Sequence, residues 1–312
     1  MDIRIKKAIK KIGGEAIHFD VPMSQYTTIR AGGNAEAVYR AVNLEGLRKM
    51  VSFLVDEQVP YLTIGKGSNL LVLDGGLDGV VILLGGSFAF IVEDPIYGDD
   101  TAMVGPGLLA GAGISLPRLV AHCAKKGLTG VEFLAGIPGT VGGAIAMNAG
   151  SMGAEIKDVV CEVSVLNREV TTERKDISRL KFQYRGLALN SGDIILNAGL
   201  NLRGDRPSSI KDRVFYNIKQ RKKRFPFKMP SAGSIFKNPD GDYAGRLIDL
   251  AGLKGKSIGG AIISTDHANI IVTKGKTSAS DIVELMNLAA GKVKELFNIT
   301  LLPEIKTVGK PH

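Results

Sequence analysis

From Phe133 to Ala154 the chain runs 22 residues without a charge. That length could cross a bilayer. Pro138, Asn148 and six glycines (Gly136, Gly139, Gly142, Gly143, Gly150 and Gly153) interrupt the run, however. A lipid-exposed helix does not carry that density of breakers. Together with its approach, Gly130-Val131-Glu132, the stretch reads as a glycine-rich block reaching Gly150. Helix and strand interiors both tolerate Gly poorly, so the block is either a backbone pressed against a flat or charged ligand or a buried irregular loop. In the first case Ile137 and Pro138 can pack on a ring face, while amides near Gly142 and Gly143 meet phosphate.

The rest of the composition is ordinary for a globular chain. Hydrophobic residues make up 45% and charged residues 23% of 312 positions, which rules out disorder for the bulk of the sequence. Glycine, at 39 residues, is the outlier. Lys and Arg exceed Asp and Glu by 40 to 31, giving a net charge of +9 and a pI near 9.4. Cys123 and Cys161 are too few for a disulfide scaffold, and they and the scattered His18, His122, His267 and His312 lack metal-ligand spacing, so no protein-bound metal is expected. The segment Met1 to Lys7 has no apolar signal core, which points to a cytoplasmic protein without membrane insertion.

Along the chain, residues 43–57 read as an amphipathic helix capped by Asn43, followed by strands at 61–64, 70–73 and 80–84. A second helix starts at Ser115 and ends at Gly127, with short β segments on either side up to about Leu202. Helices at 210–224 and 280–297 belong to a third region. There is no internal repeat. The simplest partition is three units, 1–86, 87–202 and 203–312, with the last residues able to return to the first.

Three further segments carry chemistry or mimic it. Gly65-Lys66-Gly67-Ser68-Asn69-Leu70 follows a strand, and its spaced glycines can gather backbone N–H groups into an anion nest, or simply make a tight turn. It opens a strand and lacks the third glycine of a Rossmann loop. Gly255-Lys256-Ser257 and Gly275-Lys276-Thr277 are not P-loops, because Leu250 and Ile270 stand where the first glycine belongs. In Pro230-Ser231-Ala232-Gly233-Ser234-Ile235-Phe236-Lys237-Asn238-Pro239, spacing alone makes no residue catalytic, and Ser234 lacks the Gly-x-Ser-x-Gly frame. Lys219, Arg221, Lys222, Lys223 and Arg224 form a basic helix end, suited to the helix dipole, to nucleic acid or to a pyrophosphate. Asn298-Ile299-Thr300 reads as a helix end.

In this order the segments closely resemble the UDP-N-acetylenolpyruvoylglucosamine reductases, a family of FAD enzymes of cell-wall synthesis. The resemblance runs from Thr27-Thr28-Ile29-Arg30-Ala31-Gly32-Gly33 to Leu302-Pro303-Glu304-Ile305. It includes Gly65–Leu71, Gly127–Gly150, Phe182-Gln183-Tyr184-Arg185, Pro230–Pro239, Ala251-Gly252-Leu253-Lys254-Gly255 and His267-Ala268-Asn269-Ile270-Ile271-Val272. The length suggests the shorter class of the family.

The resemblance implies an α+β chain with an FAD-binding fold of the vanillyl-alcohol-oxidase type. Two subdomains (1–86, 87–202) would bind FAD and the third unit the substrate. It implies reduction of UDP-N-acetylenolpyruvoylglucosamine to UDP-N-acetylmuramate with NADPH, serving peptidoglycan synthesis and so cell shape and division. Arg185 and Glu304 would stabilise the intermediate, and Ser234 would donate the proton. Non-covalent FAD would lie against Gly65, Lys66, Gly67, Ser68, Asn69, Leu70, Ile137, Pro138, Thr140, Val141, Gly142, Gly143 and Asn148. No His lies between Ile64 and Leu73 to form a covalent flavin link there. Tyr184, Lys222, Arg224, Lys237 and Asn238 would meet the substrate. Leu187, Phe225 (before Pro226) and Thr273 stand where the family commonly has Ser, Gln and Asn. The competing readings are an FAD oxidase or dehydrogenase for another small molecule and, on charge alone, a nucleic-acid binder.

Overall fold

The computed structural model describes residues 1–93, 107–225 and 229–311. The strongest local signals become the elements they predict. Asn43 caps α2 (Leu44–Asp56), its Oδ1 accepting from the Gly46 amide at 2.8 Å, and the helix buries Leu47, Met50, Val51 and Leu54. α3 (Leu116–Lys126) follows Ser115 and ends at Gly127, which takes the left-handed conformation at φ 72° that a helix stop needs. α5 (Pro207–Arg224) starts three residues before the predicted Ile210, because Pro207 suits the first helical position. α7 (Ala279–Phe297) opens with a reciprocal Ser278–Asp281 capping box and ends at left-handed Asn298. The sequence reading omits α1 (Ile3–Gly13), α4 (Val141–Ala146) and α6 (Ala244–Leu250).

The chain forms two compact units, each built from separated segments. The first comprises Met1–His18, Val38–Gly65 and Val80–Gln220; the second comprises Phe19–Ala37, Lys66–Gly79 and Arg221–His312. Compactness thus divides the chain differently from the three sequence segments, since positions 86 and 202 both fall inside the first unit. The strands Ile17–Pro22, Asn34–Ala41 and Leu77–Leu84 each carry the chain from one unit into the other.

In the first unit, a five-stranded antiparallel sheet runs in the order Thr172–Asp176, Val160–Leu166, Ile194–Asn201, Gly107–Gly111, Ile91–Glu93. Its core joins sheet residues such as Leu108, Val163 and Leu200 to Leu119 of α3 and Val141 and Ile145 of α4. Tyr61–Ile64 pairs in parallel with Val80–Leu83.

In the second unit, a four-stranded antiparallel sheet is ordered Ser231–Ser234, Ile270–Thr273, Ala261–Ile263, Ser257–Ile258. Its core includes Ile235, Phe236, Leu247, Ile271 and Leu285. Lys306–Val308 pairs in parallel with Leu70–Val72. Among the described residues no helix is long and apolar enough to cross a membrane, and no group of three or more potential ligands could hold a metal ion.

Candidate active site

Ser234 ends the strand Ser231–Ser234, opposite Ile270, with a register irregularity between Ser231 and Ser234. Inside that irregularity Gly233 sits at φ 76°, and the space its missing Cβ would point into is open. A kink of this kind re-aims the side chain that follows. The next residues are held from both sides. Asn269 grips Phe236 twice, its Oδ1 accepting from the amide at 2.9 Å and its Nδ2 donating to the carbonyl at 2.8 Å. From the other side the Glu304 amide donates to the Ile235 carbonyl at 2.7 Å, the Lys237 amide donates to Leu302 at 2.8 Å, and Phe236 bridges Pro303. Ser234 and Glu304, both half-buried, are therefore placed by one stretch of backbone pairing.

The loop after Gly65 joins the same frame. Asn69 donates through Nδ2 to the Glu304 carbonyl at 3.1 Å, and its own carbonyl accepts from Lys306 at 3.0 Å. The Thr28 amide donates to the Gly67 carbonyl at 3.2 Å, while the Thr28 hydroxyl donates to the Ser231 carbonyl at 2.6 Å. Thr28 thereby links the loop to the serine strand. Gly67 is required twice over: φ is +59°, and a Cβ would stand 2.2 Å from the Tyr26 carbonyl oxygen. The amides of Lys66, Gly67 and Ser68 have no protein acceptor among the described residues. Lys66 is exposed and Gly67 is buried, and a turn whose donors face no protein acceptor can receive an anionic group. Leu70, by contrast, is buried in the strand that pairs with Lys306.

The glycine-rich block behaves differently. The Val141 amide donates to the Ile114 carbonyl at 3.0 Å, that of Gly142 to Ala112 at 2.9 Å, and that of Gly143 to the Thr140 hydroxyl at 3.3 Å. These donors have acceptors within the protein, unlike those of the Gly65 loop. Gly142 instead permits close packing, since a Cβ there would lie 2.8 Å from the Ala112 Cβ. Gly65 does the same for Thr140, whose hydroxyl would be 2.5 Å from its Cβ. Ile137 is half-buried against the core, Pro138 is exposed and Val141 is fully buried.

Arg185, in the first unit, occupies a two-residue turn between Phe182–Gln183 and Gly186–Leu187, at the left-handed φ of 57°. Its Nη1 lies 3.6 Å from Glu155 Oε1, the two side chains being 23% and 22% exposed. The guanidinium also stands over the Tyr184 ring, 4.9 Å from its centroid. Asn148 is fully buried, and its Nδ2 donates to Glu155 Oε2 at 2.9 Å and to the Gln183 carbonyl at 3.0 Å. A hydrogen bond from Lys157 holds the Glu155 carboxyl below the usual carboxylate range; Asn148 and Arg185 add to this while burial opposes it. No sequence signal marked Glu155, because a lone acid after a glycine-rich run matches no motif.

In the second unit, Phe225 lies between two partners. The Arg221 guanidinium sits 4.4 Å from its centroid, and His267 stacks on it at 5.8 Å. Burial pulls Arg221 down to about 10, so it remains cationic at neutral pH, and its buried Nε has no hydrogen-bond partner among the described residues. The sequence reading placed weight on Lys222, which is exposed, and on Arg224, whose backbone is helical. Pro226 lies outside the described residues. Lys237 is half-buried, and Asn238 Oδ1 accepts from the Ala244 amide at 3.1 Å. Thr273 is buried, its hydroxyl donating to the Ile29 carbonyl at 2.7 Å. Leu187 pairs with Phe182 in the Arg185 hairpin.

Residues 225–308 match the C-terminal domain model of UDP-N-acetylenolpyruvoylglucosamine reductase, and residues 35–174 match an FAD-binding domain model. The UDP-N-acetylenolpyruvoylglucosamine reductase of Syntrophus aciditrophicus is 39% identical over 99% of this chain and 97% of its own length. The chain belongs to the UDP-N-acetylenolpyruvoylglucosamine reductase family. A solved reductase of this family, MurB from Thermus caldophilus, superposes with a TM-score of 0.77 at 35% identity, over 93% of this chain and 97% of that one. A vanillyl-alcohol-oxidase-type flavoprotein from Myceliophthora thermophila shares the fold alone, with a TM-score of 0.51 at 12% identity over 97% of this chain and 63% of its own. The expected fold class, an α+β reductase with an FAD-binding fold of that type, is thus found.

Proposed function

We propose that this chain reduces UDP-N-acetylenolpyruvoylglucosamine to UDP-N-acetylmuramate in the cytoplasm, using NADPH and non-covalently bound FAD. The observation that carries the reading is the bond from the Glu304 amide to the Ile235 carbonyl, which sets the Glu304 main chain beside the residue following Ser234. In this reading residues 1–86 and 87–202 serve FAD and residues 203–312 serve the substrate. The unmatched donors at Lys66, Gly67 and Ser68 suit the FAD pyrophosphate. Bound FAD supplies the transfer of hydride from NADPH to the enolpyruvyl double bond.

Addition of hydride to one carbon of that double bond leaves the other, next to the carboxylate, with enolate character. The Arg185 guanidinium stabilises this charge electrostatically, and the Glu304 carboxyl group does so through a hydrogen bond. The Ser234 hydroxyl gives its proton to the carbon. Tyr184, Lys237 and Asn238 belong to the sugar nucleotide's surroundings. Arg221, desolvated and still charged, joins Lys222 and Arg224 as a group for its pyrophosphate.

The test is spectroscopic. The purified protein, if necessary reconstituted with FAD, is expected to show oxidised-flavin bands that leave with the supernatant on denaturation. NADPH should bleach those bands and the enolpyruvyl sugar nucleotide should restore them. Return of the colour with oxygen but not with the sugar nucleotide would replace this reading with an oxidase.

A further inference from the structure

Resting on that reading, we propose that Glu155 is a positioning residue for the reaction, which with the buried Asn148 holds the Arg185 guanidinium in its working orientation. An arginine on a two-residue turn has many rotamers, and an unguided one would spend little time aimed at a developing charge. Here three independent features restrict it. The carboxylate of Glu155 faces the guanidinium at 3.6 Å through Oε1 while Oε2 takes Lys157 at 2.7 Å and Asn148 at 2.9 Å, so the acid is itself fixed. Asn148, with no exposed surface, uses its other amide proton on the Gln183 carbonyl at 3.0 Å, directly before the Tyr184-Arg185 turn. Gly150 leaves the room for the pair: a Cβ there would stand 2.9 Å from Glu155 Cγ and 3.3 Å from Arg185 Nη1.

The far end of the glycine-rich block is therefore shaped around an ion pair, and Asn148 acts on the turn rather than on the cofactor. Lys157 neutralises the second carboxylate oxygen and is dispensable for the orientation of Arg185, because Oε1 faces Arg185 without it.

Two readouts test this. In the ligand-free protein, the Arg185 Nε–H resonance, assigned by loss in Arg185→Lys, should show restricted motion in the wild type and in Lys157→Met. In Glu155→Gln, which keeps the shape and the Asn148 contact but removes the charge, it should become mobile while the remaining amide spectrum is kept. An unchanged Arg185 signal in Glu155→Gln overturns the proposal, whatever the enzyme reduces. In the flavin-loaded enzyme, Glu155→Gln should slow reoxidation by the sugar nucleotide about 10- to 100-fold at saturating substrate, with reduction by NADPH kept. Glu155→Asp should recover part of that loss and Lys157→Met should show none of it. Equal slowing in Glu155→Gln and Lys157→Met would make the cluster merely structural. A wild type that ignores the sugar nucleotide would instead fail the functional reading and leave the resonance experiment to decide on Glu155.

Discussion

Ser234 and Glu304 are held by main chain, whereas Arg185 is held by side chains. In the second unit the bonds that matter run between backbone groups, from Glu304 to Ile235 and from Lys237 to Leu302, with Asn269 and Thr28 also bonding to backbone. In the first unit the guanidinium faces a carboxylate that is fixed by a buried amide and an ammonium. A backbone frame fixes where a residue starts and is indifferent to charge. A side-chain clamp fixes where a long side chain ends, and it depends on the charge that faces that end. The division follows reach: a serine hydroxyl is one bond from Cβ and inherits its direction from the strand, while an arginine has four rotatable bonds to restrain.

The largest expected effect tests the backbone-held side. Ser234→Ala keeps the backbone frame and removes only the hydroxyl proposed to donate the proton, so reoxidation by the enolpyruvyl substrate should slow by at least about 10²-fold while reduction by NADPH is nearly unchanged. Ser234→Cys, which keeps an acidic proton, should lose less. Stopped-flow traces of the two half-reactions decide this. Equal slowing of both would show that Ser234 supports the frame instead of the chemistry.

A middle-sized effect is expected where neither device operates. Lys222 is exposed at the end of α5, and among the described residues no hydrogen bond or ion pair holds its side chain. Neutralising Lys222 together with Arg224 should raise the Michaelis constant for the sugar nucleotide by about tenfold, the scale of one lost charge-assisted bond, with little change in NADPH oxidation. A change in turnover at saturating substrate would place the cluster at the reacting atoms and break the distinction between binding and orienting cations.

The smallest effect concerns a side-chain pair that holds no functional group. Arg246 bonds the Asp242 carboxylate and holds it down to about 2. Because this value lies below that of an unfolded aspartate, near 3.8, the stabilisation is complete above the unfolded value and fades as pH falls toward 2. The Arg246 side chain is 56% exposed, so solvent screens the pair and the contribution is small. Asp242→Asn should lower the melting temperature slightly at neutral pH, and its deficit against the wild type should close between about pH 4 and 2. A deficit that persists at pH 2 would trace to the cap on the Tyr243 amide instead of the ion pair.

Much of the fold and part of the site are legible in the sequence because local chemistry dictates them. Asn43 before a 3.6-residue stripe, Gly127 after one and Ser278 three residues before Asp281 are helix boundaries whatever surrounds them. Gly67 is likewise a loop glycine on any reading. Gly142 and Gly143 are not legible in that way. They read as a ligand surface because helix propensity argues against a helix there, yet α4 forms, capped by Thr140 and packed on Ala112. Glu155 was invisible because its meaning lies in Arg185, 30 residues on and in a different hairpin. The interleaving of the two units was also hidden, since the strands that carry it, such as Asn34–Ala41, look like any half-buried strand.

The pairing of Lys306–Val308 with Leu70–Val72 has a consequence for biosynthesis. Asn69 meets Glu304 across 235 positions of sequence, so the loop after Gly65 leaves the ribosome long before the segment that buttresses it. At about 5–20 residues per second, roughly 10–50 seconds of elongation separate the two. Through that interval the nascent loop lacks the Glu304 and Lys306 partners of Asn69. The frame around the loop is therefore completed only when residues 304–308 have emerged, however early the loop itself leaves the ribosome.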